Sequence, residues 1–272
     1  MNAQAQITAK RSGAPRAMRL VLPVIVFAAG LLAWELLVRL RDIPPYVLPA
    51  PSVIVLTLIR DWAVLSQSLA TTLLTTLEGF LAASIGGIAL ALVFNQSKWV
   101  EYSLFPYAVV LQVTPVIAIA PLLLIYLEQQ TAVVVCAFIV SFFPVLSNTT
   151  LGLNSVDRNL AGLFQLYGAS PQQTLRFLKL PAALPYILGG LRIAGGLSLI
   201  GAVVAEIAAG TAGAGSGLAY RIAESGYRLN IPRMFAALLL LSLAGIVIYG
   251  VLALVSHLVL RRRHESALGK DN

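Results

Sequence analysis

The sequence predicts an all-α polytopic membrane protein with six transmembrane helices and both termini cytoplasmic. Three observations carry this. Of the 272 residues, 58% are hydrophobic and only 11% charged, whereas an ordinary soluble domain carries roughly 25% charged residues. Charge-free runs recur, such as Tyr102 to Leu127 and Val140 to Val156. The lysines and arginines cluster between or beyond those runs, and they do so unevenly. The net charge of +8 therefore speaks for orientation in a membrane rather than for nucleic acid.

Residues 1–19 form a basic cytoplasmic tail with Lys10, Arg11, Arg16 and Arg19. A single transmembrane domain follows over 20–260, and a second basic tail over 261–272. Leu20 to Val38 is longer than the apolar core of a signal peptide and precedes further spans, so it is an uncleaved first span. Trp34 and Glu35 suit its outer interface. Pro44, Pro45, Pro49 and Pro51 break up the next stretch. Ser52 is placed to cap a short outer helix running to about Trp62.

Leu69 to Phe94 is the second span, where Gly79, Gly86 and Gly87 permit close helix packing in lipid. Tyr102 to Leu127 is the third. It is longer than the about 20 residues needed to cross, and Pro106, Pro115 and Pro121 predict a kink. Thr131 to Leu151 is the fourth, Ile187 to Ala209 the fifth and Met234 to Leu260 the sixth. The glycine-rich stretch from Gly210 lacks the lysine and hydroxyl residue of a P-loop. It reads as a turn into a short interfacial helix. With this topology, 13 of the 19 lysines and arginines lie inside, as the positive-inside rule requires.

The segment from Asp157 to about Tyr186 interrupts this pattern with polar, basic sequence. Leu160, Leu163, Phe164 and Tyr167 have helical spacing, and Gly168 is suited to end that helix. Ser170, Pro171 and Gln173 restart one with a capping box. Leu175, Phe177 and Leu178 give the second helix an apolar side, and Pro181 is expected to stop it. The product is a rigid two-helix knob on the basic side, fit to dock another protein.

No metal-ligand spacing and no Walker A, HExxH or GxSxG sequence is present, so neither a hydrolytic site nor a cofactor is expected. The one cysteine, Cys136, lies in an apolar run and reads as a packing residue. Glu78 and Glu206 are carboxylates in apolar stretches, where ionisable groups are costly. They either carry protons or touch a cationic solute, or they pair with polar neighbours near an interface. Gln112 and Thr114 in the third span and Asn148 in the fourth either line a path or bond between helices. Arg192 reads as an interfacial anchor.

Gly168, then nine residues, Leu178, one residue and Leu180-Pro181 form a pattern that resembles the EAA loop of importer-type ABC transporter permeases. The resemblance extends through PAALPYILGGLR, LPAPSV, VTPVIAIAPLLLIY and FFPVLSN. It covers about residues 20–260, within the nitrate/sulfonate/taurine branch. Gly162, Leu163 and Phe164 stand where that family has its Glu-Ala-Ala triplet. The resemblance implies a bacterial inner-membrane permease without ATPase activity of its own. It further implies a cytoplasmic ATP-binding subunit docked on Tyr167, Gly168, Ala169, Ser170, Gln173, Leu178, Leu180 and Pro181. An extracytoplasmic solute-binding protein would face segments 44–62 and 210–232. A second permease copy is expected, because six spans are too few to frame a path alone. The VTPVIAIAPL stretch is nearer to relatives handling thiamine pyrimidine precursors or riboflavin. From another class, a proton-coupled secondary transporter using Glu78 or Glu206 is the alternative.

Overall fold

The computed structural model describes residues 16–210 and 215–261. The predicted basic tails, apart from residues 16–19 and Arg261, lie outside the described residues. In lipid the backbone must satisfy its own polar groups, so apolar runs fold as helices. In chain order these are α1 (Arg16–Leu40), α2 (Pro51–Arg60), α3 (Trp62–Gln96), α4 (Lys98–Val113), α5 (Val116–Tyr126) and α6 (Gln129–Asn154). They continue as α7 (Arg158–Leu166), α8 (Pro171–Thr174), α9 (Leu180–Ala209), α10 (Leu218–Tyr227) and α11 (Ile231–Arg261). A π-helical turn, Leu175–Lys179, joins α8 to α9.

Five helical stretches are long and apolar enough to cross a membrane, and the α4–α5 pair makes a sixth if its 98° bend is spanned as one. The contacts of α3 and α6 decide the count. Gly79 faces Ala137 and Gly87 faces Val145, so these two helices run in the same direction. The chain between them must return across the bundle, and α4 with α5 is that return. The third span is therefore broken rather than merely kinked. Pro115 lacks an N–H and forces Thr114 out of helical geometry, at φ −71° and ψ 125°.

α6 is the hub, packed between α3 and α9 with Cys136, Ala137, Val145 and Leu146 fully buried. Close approach requires the absence of side chains. A Cβ on Gly201 of α9 would stand 2.8 Å from the Cys136 carbonyl, and one on Gly152 of α6 would stand 2.9 Å from Ala183 Cα. At one end of the bundle Phe94, Leu146, Leu153 and Ala183 form a core with Phe105 and Phe143 against it. At the other end Ile54, Leu65, Leu218 and Leu240 form a second, flanked by Trp34 and Phe235. The first is the knob end, because α7 and α8 sit there; the second is the far end.

Two local expectations are corrected. Ser52 does not cap α2, whose N-cap is Ala50. Instead the Glu35 carboxylate of α1 accepts from Ser52 N (3.0 Å) and Ser52 Oγ (2.7 Å). Pro181 does not stop a helix either. Residues 171–209 run on as one 39-residue helix, with Pro181 in the first turn of α9. The π turn makes this possible by shifting the pairing there: Leu180 N donates to Leu175 O, five residues back.

Candidate functional site

The knob is built by short-range chemistry. Asp157 caps α7 by accepting from Asn159 N at 2.7 Å. α7 ends in a Schellman motif: Gly168 adopts φ +67°, Gly168 N donates to Gln165 O, and Ala169 N donates to Phe164 O. A left-handed residue is required there, which is why glycine occupies the position. The capping box then forms in full. Ser170 Oγ accepts from Gln173 N (3.2 Å), and Gln173 Oε1 accepts from Ser170 N (2.7 Å).

This element is presented rather than packed. No residue of α7 or α8 is buried, and Leu166, Tyr167 and Phe177 are 82%, 81% and 62% exposed. Gly168, Ser170 and Gln173 are exposed too, while Ala169, Leu178, Leu180 and Pro181 are half-buried. The π turn divides the apolar side expected of the second helix. Leu175 and Leu180 pack on the knob-end core, whereas Phe177 points outward with the Arg176 guanidinium 5.5 Å from its ring centroid. Lys179 Nζ donates to Asn95 Oδ1 at 2.7 Å, fixing the base of the knob to the end of α3. Neither Lys179 nor Asn95 stands out in the sequence as such a pair.

The five polar residues considered for a path lie at separate places. Glu78 is on an exposed face of α3, and Gln112 is exposed on α4. Thr114 sits at the α4–α5 break with its hydroxyl donating to Val110 O at 2.6 Å. Asn148 on α6 donates to Pro144 O at 2.8 Å and faces Gly190 of α9. Arg192 is half-buried within α9, 5.9 Å from the Tyr249 ring, rather than at its end.

Glu206 is 3% exposed at the far end of α9. Its carboxylate accepts from Thr72 Oγ1 of α3 at 2.8 Å and from Ala219 N of α10 at 3.1 Å. Thr72 Oγ1 in turn accepts from Leu218 N at 2.8 Å. Gly217 precedes α10 without a Cβ, because one would fall on the Glu206 carboxylate. A cavity of about 340 Å³ adjoins this cluster, lined by Thr71, Thr75, Glu128, Gln129, Gln130 and Glu206, with Leu74, Val133 and Gly215 completing the wall.

Residues 83–261 match the family model described as "Binding-protein-dependent transport system inner membrane component". The riboflavin transport system permease protein of Chloroflexus aurantiacus is 33% identical, over 88% of this chain and 89% of its own. The formylaminopyrimidine transport permease protein of Halalkalibacterium halodurans is 32% identical, over 90% and 97%. Permeases named for taurine, aliphatic sulfonates and nitrate match at 29–31%. An amino acid ABC transporter of known structure shares the fold, with a TM-score of 0.60 at 20% identity over 74% of this chain and 97% of that one. The chain thus belongs to the binding-protein-dependent transport system inner membrane components, and is a multi-pass inner-membrane permease subunit of an ABC importer.

Proposed function

We propose that the knob end is cytoplasmic and docks a separate ATP-binding subunit, and that the far end receives a small solute from an extracytoplasmic binding protein. The observation that carries this reading is the exposed, fully capped helix pair at the start of α9. Capping makes it stiff, exposure leaves it free for a partner, and continuity with α9 lets a push on it tilt a packed span. Gly168 and its neighbours make the contact. Segments 44–62 and 210–232 face the binding protein. A second copy of the chain completes the path.

For the solute, two classes compete: small anions such as nitrate, taurine and sulfonates, and nitrogen heterocycles such as a thiamine pyrimidine precursor or riboflavin. The far-end cavity favours the second. Besides Glu206, whose carboxylate is held by Thr72 and Ala219, its wall carries the Glu128 carboxylate, two amides and two threonine hydroxyls, and no lysine or arginine among the described lining residues. A small anion would meet like charge there, whereas a ring bearing N–H donors would meet acceptors. The riboflavin and formylaminopyrimidine permeases, at least 32% identical over 88% or more of this chain, point the same way. A proton-coupled carrier has less support, since Glu78 lies on an exposed face and Glu206 is engaged by fixed donors.

Purification in mild detergent, with mass spectrometry of what accompanies the chain, tests the docking reading. A stoichiometric ATPase is expected, and Gly168→Asp combined with Leu178→Asp should release it while the chain still inserts. An ATPase retained by that double variant would overturn the docking surface. The co-encoded binding protein can be titrated with pyrimidines, flavins, sulfonates and nitrate. Tight binding of an anion alone would return the solute to the first class.

A further inference from the structure

We infer that Glu206 is a positioning residue that ties α10 to α9, so that a movement of the knob is delivered to the opposite face of the membrane. The inference rests on the proposed docking of an ATP-binding subunit at the knob, and adds to it the route by which the far end responds.

Three observations meet at this residue. First, α8, the π turn and α9 form one continuous 39-residue helix, about 58 Å long at the usual rise per residue. The same element therefore begins as the exposed knob and ends at Glu206. Second, the hold on α10 is specific and buried. The Glu206 carboxylate accepts from Ala219 N, and Thr72 bridges Glu206 to Leu218 N. Two amides of the first turn of α10 are thus satisfied by side chains from α9 and α3, groups that would be costly to leave unpaired at such a site. Gly217 is moulded to the carboxylate, with no room for a Cβ.

Third, the rest of α10 is fixed to its neighbours but leaves its end free. Arg221 Nε donates to Ser68 Oγ of α3 at 3.1 Å. Glu224 pairs with Arg221 (2.9 Å) and Arg228 (3.0 Å). Arg233, at the start of α11, pairs with Asp61 at 2.6 Å. Tyr227, the last residue of α10, is 91% exposed, and Leu229 just past it, 69% exposed, holds φ +54°. A leucine in the left-handed region is unfavourable, and it persists here because the surrounding bonds over-determine the turn. Asn230 N donates to Ser225 O at 2.8 Å and Leu229 N to Gly226 O at 3.1 Å. The tie at Glu206 thus moves a stiff unit, α10 with its exposed turn, as a body with the end of α9.

A covalent replacement of the tie separates this role from mere stability. A Cβ built on Gly217 lies beside the carboxylate carbon of Glu206, two bonds beyond that residue's own Cβ, which is within disulfide reach. Glu206→Cys with Gly217→Cys, in a Cys136→Ala background, removes the carboxylate and restores the link only on oxidation. The complete transporter with its ATPase and binding protein is reconstituted in vesicles, and ATP hydrolysis is measured with and without loaded binding protein. Reduced, the variant should retain bound ATPase and basal hydrolysis, yet lose stimulation by the binding protein and at least tenfold of uptake. Oxidised, the same molecules should recover both. Equal stimulation in the two states, at full cross-linking, would overturn the inference. An unsubstituted chain that recruits no ATPase would instead overturn the docking reading beneath it. Glu206→Ala without the second cysteine should behave as the reduced pair does, and full stimulation in that variant would also sink the proposal.

Discussion

α9 begins beside an exposed knob built from its own sequence neighbours and ends bonded to α3 and α10. At the knob, each defining bond joins residues at most five apart: Ser170 with Gln173, Gly168 with Gln165, Ala169 with Phe164. At the far end the bonds join Glu206 to Thr72 and Leu218 to Thr72, across 134 and 146 residues of sequence. The first end is a local structure awaiting a partner. The second is a tertiary structure already closed. Substitutions at the two ends should therefore differ in kind. Those at the far end should lower the stability of the whole fold as well as coupling, and those at the knob should act on a segment and on coupling.

The largest effect is expected at Gly217. Valine there places a side chain on the Glu206 carboxylate and displaces the donors around it, costing about 3 kcal/mol or more. Thermal unfolding in detergent should show a clear drop in Tm. Gly215→Ala, where a Cβ meets nothing within 4 Å, should leave Tm almost unchanged. Equal losses at the two glycines would break the comparison, because the far end would then be responding to loop flexibility and not to a specific contact.

Gly168 tests the other end. A Cβ there also meets nothing within 4 Å, but φ is +67°, so the cost is conformational, about 1 to 2 kcal/mol for alanine. Asparagine should be better tolerated than alanine. The loss should appear as faster amide exchange over residues 158–174 and weaker coupling, with little change in Tm. Ser170→Ala is expected to follow the same pattern with a smaller cost, about 1 kcal/mol. A cooperative fall in Tm for either variant would show that the knob is part of the folding core after all.

The same contrast governs what the sequence discloses. Gly168 and the Ser170–Gln173 box could be read because a cap or a left-handed turn is specified by neighbours. So could the helices themselves, from the length of the apolar runs. Pro181 was misleading, since proline ends a helix only when the i−4 pairing must continue, and the π turn at 175–179 relaxes that pairing. Pro115 did announce a disturbance, but the size of the 98° bend depends on α5 finding its place against α6 and α9. Glu206 stood out as a carboxylate in an apolar run. Nothing near it in the sequence points to Thr72 or to the amides of α10, so its role as a tie could be found only in three dimensions.

The smallest effect lies where a local motif has been taken over by a distant group. α2 starts with Pro51 and Ser52, which resembles a self-contained cap, yet Glu35 from α1 accepts from both Ser52 N and Ser52 Oγ. Arg39 braces that carboxylate from one turn away, with its Nε 2.6 Å from Glu35 Oε1. If the cap belongs to Glu35, then Glu35→Ala should speed amide exchange at Ser52 and Val53 and loosen α1 from α2. Ser52→Ala should do less, because its backbone N–H still donates to the carboxylate. Arg39→Ala should do least, since its side chain is 66% exposed and pairs of that kind contribute little. The reverse order, with Ser52 dominant, would mean that α2 is capped by its own residues. The far end would then be, at this point, as local in construction as the knob.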